Sequence, residues 1–150
     1  YNQIRGQHGN RYADLTQDPA FAFGEGLSYT TFAYGEVVID GADTPFTTDG
    51  TVHASVTLTN TGDRPGVEVV QAYVGDLVTS YSWTDRELKA FRRVELQPGE
   101  SATVTFDIPV ADCTIVDPDA RRIVEPGEFE LLIGHSSRRE DLKRATFTVA

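Results

Sequence analysis

Residues 51–60 read Thr-Val-His-Ala-Ser-Val-Thr-Leu-Thr-Asn, and their strict alternation decides the fold. Val52, Ala54, Val56 and Leu58 fall on one face of an extended chain, with His53, Ser55, Thr57 and Thr59 on the other. Such a segment is a strand with one face in a core and one in water. The next residues, Asn60-Thr-Gly-Asp-Arg-Pro-Gly66, have the composition of a tight turn. Val67 to Val74 then runs more continuously apolar, as a central strand covered on both faces does.

The same grammar extends in both directions. Phe32 to Ile39 is predicted as a first strand, ended by the turn-rich Asp-Gly-Ala-Asp-Thr-Pro. Glu87 to Leu96 places Leu88, Phe91, Val94 and Leu96 at initial spacings of three, which predicts a bulge or bend in a strand. A helix of that length would need tertiary support. Pro-Gly-Glu turns occur at 98–100 and 126–128. After the first, Ala102, Val104, Phe106 and Ile108 alternate with polar residues; after the second, Phe129, Leu131 and Ile133 alternate with Glu128, Glu130 and Leu132. Thr114 to Val116 and Arg122 to Glu125 suggest a hairpin around Asp117-Pro-Asp-Ala, and Ala145, Phe147 and Val149 share a face of a last strand. Seven or eight short strands without a long helix predict an all-β fold, an antiparallel sandwich of immunoglobulin-like or fibronectin type III-like form. About twenty large apolar side chains, at roughly 1.5–3 kcal/mol each when buried, suffice to drive one core.

The N-terminal 30 residues follow neither period. Residues 1–20 are polar with isolated Ile4, Tyr12 and Leu15, too few for a core and suited to lying on a neighbouring surface. Residues 21–30, Phe-Ala-Phe-Gly-Glu-Gly-Leu-Ser-Tyr-Thr, put aromatic residues around two glycines, as in a shaped connector whose apolar groups are buried against something else. The expected division is therefore an irregular extension over 1–30 and a sandwich over 31–150.

Composition narrows the function. Twenty-three acidic against 13 basic residues give a net charge of −10, which argues against nucleic acid as a partner. No apolar run approaches the roughly 18 residues of a membrane span, so a membrane is not expected as a partner either. The cytoplasm is the expected compartment unless a signal peptide lies upstream of Tyr1. Cys113 is the one cysteine, which excludes an internal disulfide and points to a buried, inert thiol.

Several motifs in one order resemble family 3 glycoside hydrolases. Phe21-Ala-Phe-Gly-Glu-Gly-Leu-Ser-Tyr-Thr-Thr-Phe-Ala-Tyr34 is similar to the family's passage into its C-terminal fibronectin type III-like domain. Residues 56–76, with their Asn-Thr-Gly turn, resemble that domain's second and third strands. Residues 86–109, with Glu-Leu-x-x-Phe and Pro-Gly-Glu, resemble its next block, and residues 124–137 its penultimate strand. Residues 1–15 resemble the end of the preceding α/β-sandwich domain. The chain departs from the common pattern at Tyr81-Ser-Trp-Thr-Asp85, where many members carry a proline-containing loop, and at Ala90, where many carry glycine.

The resemblance implies a parent that removes terminal β-linked sugars with retention, through two carboxyl groups that lie outside these 150 residues. No catalytic residue, cofactor or metal ligand is carried over. The residues agree with that implication. Asp117 and Asp119 sit in a predicted tight hairpin, and Glu128 and Glu130 on a predicted outer strand face, without a pocket between carboxyls. Asp117-Pro-Asp lacks the glycine of a calcium loop, and His8, His53 and His135 are widely spaced. Two roles remain. In the first the sandwich braces the catalytic domains of the same polypeptide, with Phe21, Phe23, Leu27 and Tyr29 as apolar anchors. In the second Tyr81 and Trp83 touch the carbohydrate substrate of the parent enzyme; the plainer alternative has Trp83 packing against the sandwich or a neighbouring domain.

Overall fold

A computed structural model describes residues 19–81 and 83–150. The expected surface-lying tail over residues 1–20 falls almost wholly outside the described residues, as does His8. The strands are β1 (Phe32–Ile39), β2 (Thr51–Asn60), β3 (Gly66–Asp76), β4 (Glu87–Leu96), β5 (Ser101–Pro109), β6 (Ile115–Val116), β7 (Arg122–Ile123), β8 (Gly127–Gly134) and β9 (Leu142–Val149). Single 3₁₀ turns occupy Val110–Asp112 and Arg139–Asp141. Among the described residues no helix is long and apolar enough to cross a membrane.

The architecture is the expected antiparallel sandwich. One sheet has the order β1-β2-β5 and the other β4-β3-β8-β9, with β6 and β7 forming a separate hairpin. Inward residues of both sheets make one core, including Val52, Val56, Leu58, Val70, Phe106 and Phe129. Phe129 and Phe147 stack at 5.4 Å between ring centroids, with Phe46 edge-on to Phe147 at 5.9 Å. Phe46 also bridges Val149 in parallel, outside the main ladders, with its N–H donating to Thr148 O at 2.8 Å. The alternation read in β2 is obeyed: Val52, Ala54, Val56 and Leu58 are all buried.

The bulge predicted in the 87–96 strand is present. Ala72 pairs with Ala90 and Tyr73 with Leu88, so Lys89 is the extra residue. Beyond the bulge Phe91 faces outward and is 61% exposed, while Val94 and Leu96 pack inward. One expectation is corrected. Glu130 lies on the outer face of β8, but it is fully buried rather than solvated. Two loops fold over that face: Arg86 donates to Ser137 O at 2.8 Å, and Arg139 lies 3.5 Å from Asp85, tying the loop before β4 to the loop before β9. Arg139 reaches Glu130 at 2.7 Å and Arg144 reaches it at 3.1 Å, so the buried carboxylate is charge-compensated.

Candidate docking site

The connector before β1 is irregular yet held at defined points. Phe23 O accepts the N–H of Ser137 at 2.8 Å. Gln71, nearly fully buried in β3, donates from Nε2 to Gly24 O at 3.0 Å and to His135 O at 2.7 Å, and its Oε1 accepts the Tyr73 hydroxyl. Gly24 has φ +76°, and a Cβ there would collide with Gln71 Oε1, so glycine is required on both counts. Glu25 accepts the Ala22 N–H at 2.8 Å and pairs with Arg138 at 2.9 Å. The Ala22 N–H, and then Arg138, hold the Glu25 carboxyl below its usual range. At the far end Thr30 donates to Asn60 Oδ1 at 2.8 Å.

Asn60 organises the junction between connector and sandwich. It is fully buried, and its amide donates to Arg64 O at 2.7 Å and Leu96 O at 3.0 Å while Oδ1 accepts the Gly62 N–H at 3.1 Å. One side chain thus satisfies the turn, the end of β4 and the connector together.

The pinned backbone carries its apolar side chains outward. Phe21 is 74% exposed, Phe23 46%, Leu27 96% and Tyr29 95%. These are the four anchors named from the sequence, and they lie within nine residues of each other. Scattered exposed apolar residues are ordinary, but these four share one short backbone segment held at both ends, an apolar strip of the connector.

Beneath the strip, the connector and β3 enclose a groove of about 170 Å³ whose lining includes Leu27, Ser28, Glu68, Val69 and His135. Glu68 accepts the N–H of Val69 at 2.9 Å. Burial raises its carboxyl pKa, opposed by that hydrogen bond and by His135. The Tyr34 ring lies 6.3 Å from that of His135, and among the described residues its buried hydroxyl has no hydrogen-bond partner. Burial foremost, then Glu68, pushes that phenol well above its usual range.

Trp83 and Tyr81 sit at the other end of the same sheet, in the loop between β3 and β4. Trp83 is half-buried and lines a small pocket of about 20 Å³ with Val74, Cys113, Ile115 and Phe129. That volume suits a single water rather than a sugar. Tyr81 is 41% exposed. Cys113 is buried, and burial raises its thiol pKa to about 11. His53 lies on the exposed face of β2, its Nδ1 2.6 Å from its cross-strand partner Asp107. Asp117 and Asp119 both bind Arg121 within their own hairpin. Among the described residues no group of three His, Cys, Asp or Glu converges on a metal position.

Asn60, Gln71 and Arg138 are not among the site residues expected from the sequence. Gln71 was open to discovery, since it interrupts the apolar run of β3 and such a residue needs a partner. Arg138 was not, because nothing local distinguishes it from other surface arginines.

Residues 68–137 match the family model described as a fibronectin type III-like domain. Proteins similar over most of the chain include β-xylosidases and β-glucosidases. A β-xylosidase of Formosa agariphila is 43% identical over 145 residues, covering 97% of this chain and 19% of its own. The periplasmic β-glucosidase of Salmonella typhimurium is 38% identical over 138 residues, covering 92% of this chain and 18% of its own. The chain carries a fibronectin type III-like domain and is similar to the matching fifth of these β-xylosidases and β-glucosidases. A solved β-glucosidase, described as involved in saponin metabolism from intestinal bacteria, matches this domain with a TM-score of 0.94 and 79% identity. That match covers 99% of the present chain and 20% of the solved one. The domain thus spans about a fifth of the proteins it matches.

Proposed function

We propose that this domain braces the catalytic domains of a retaining β-glucosidase-like enzyme, which removes terminal β-linked sugars from non-reducing ends. Residues 1–30 form the tail and connector leading from the preceding domain, and residues 31–150 form the brace. Chemistry resides in the preceding domains. The β-glucosidases and β-xylosidases among the similar proteins support that substrate class. The observation that carries the brace role is the pinned connector with Leu27 and Tyr29 almost wholly exposed. Hydrogen bonds have fixed the backbone, so little ordering entropy remains to be lost when the strip meets a partner surface.

The test is a pair of measurements on Leu27→Ser/Tyr29→Ser. In the 150-residue chain both sites are solvated, so the melting temperature should stay within about 2 °C of wild type. In the full-length enzyme the same change removes two buried side chains worth roughly 1.5–3 kcal/mol each and should lower the melting temperature by several degrees. An unchanged full-length transition would eliminate the brace. The 150-residue chain should also leave an aryl β-glucoside unhydrolysed, and brisk turnover by it would refute the assignment of chemistry to the preceding domains.

A further inference from the structure

We propose that the groove between the connector and β3 is a socket for one basic side chain, arginine or lysine, presented by the preceding part of the same polypeptide. The inference rests on the brace reading and adds the chemistry of the partner at its centre.

Three observations converge on it. The groove, at about 170 Å³, is smaller than the roughly 300–1,000 Å³ of small-molecule sites, which directs attention to a single side chain. Its walls suit a long amphipathic side chain: Leu27 and Val69 offer apolar surface for a methylene stem, and Glu68 offers a carboxylate. Glu68 is half-buried, and among the described residues no lysine or arginine pairs with it, whereas the buried Glu130 and the partly buried Glu25 and Glu87 each face one within 3.0 Å. Among the described residues its carboxylate accepts a hydrogen bond from the N–H of Val69. His135, the nearest basic ring, lies 3.5 Å from Asp141. A half-buried carboxylate without a full counter-charge is costly, and a docking cation offsets that cost.

The socket is also continuous with the strip, because Leu27 and Ser28 belong to both. A segment docking on Leu27 and Tyr29 would bring its side chains over the groove mouth. The net charge of −10 favours a cation over an anion on approach. A second copy of this chain fits less well, since its own exposed strip is apolar and carries Glu25.

The experiment follows chymotrypsin cleavage at Phe21–Tyr29 in the full-length enzyme and the melting temperature of the 150-residue chain. Glu68→Gln keeps the shape and removes the charge. It should leave the 150-residue chain as stable as wild type or slightly more so, while speeding cleavage of the strip in the full-length enzyme about tenfold, the equivalent of about 1.4 kcal/mol. Glu68→Asp, which shortens the reach but keeps the charge, should give an intermediate rate. Cleavage unchanged by Glu68→Gln would overturn the socket. If Leu27→Ser still accelerated cleavage in that case, the brace would stand with a purely apolar contact. If neither variant changed the rate, brace and socket would both fall.

Discussion

Removing the charge of Glu130 should destabilise the domain less than removing the arginines that neutralise it. Glu130 is 1% exposed at its side chain, whereas Arg139 and Arg144 are 47% and 51% exposed. Glu130→Gln leaves two arginines that water still solvates, so the loss is that of their charge-assisted hydrogen bonds, about 1–3 kcal/mol. Arg139→Ala/Arg144→Ala removes two cations from a carboxylate that is almost wholly shielded from water, and breaking a buried ion pair from one side costs about 3–5 kcal/mol. At roughly 2–4 °C per kcal/mol for a chain of this length, the Gln variant should melt about 2–12 °C below wild type and the double arginine variant about 6–20 °C below it. Circular dichroism melts at neutral pH distinguish the two. If Glu130→Gln melted below the double arginine variant, the carboxylate would owe its burial to something other than those arginines, and the reasoning would fail.

Other outcomes follow from the same structure. Cys113, with its thiol raised to about 11, should react with a thiol reagent at pH 8 about 100-fold more slowly than a free cysteine on ionisation grounds alone. The unfolded thiol ionises near 9, so the native chain holds that stability below pH 9 and loses it as pH climbs towards 11; Cys113→Ala should flatten the loss in alkaline melts. Asn60→Ala removes hydrogen bonds from the turn, β4 and the connector at once and should cost about 2–4 kcal/mol in urea denaturation. Trp83→Ala should lower the melting temperature, because the indole lines a pocket with Cys113 and Phe129, and should leave the full-length enzyme's KM for an aryl glucoside unchanged. A raised KM with an unchanged melting temperature would instead assign Trp83 to the sugar.

The legibility of this fold varied with what each residue type can say. β2 could be read directly because Val, Ala, Val and Leu alternate with hydroxyl residues, and one face of that sheet does meet water. β8 shows the same alternation, yet Glu130 and Leu132 are buried as fully as Phe129 and Leu131. Alternation reports which residues share a face; it does not report that the loops before β4 and before β9 fold back over that face. The bulge in β4 was visible as a break in period, but the outward turn of Phe91 depended on where Lys89 inserts. The strip was legible because Phe21, Phe23, Leu27 and Tyr29 fit neither period. Its fastening was not, since Gln71, Ser137 and Arg138 reach it from distant parts of the chain.

The small clasp between Phe46 and Val149 bears on the order in which the molecule assembles. Its two halves come from opposite ends of the sequence, and Phe147 beside it completes the aromatic stack. While a ribosome makes the chain, the loop between β1 and β2 must wait for the last strand to emerge before it can settle. Late, non-local closure of this kind is slow. The domain should therefore spend its synthesis as a partly paired intermediate and acquire resistance to protease only after β9 has emerged.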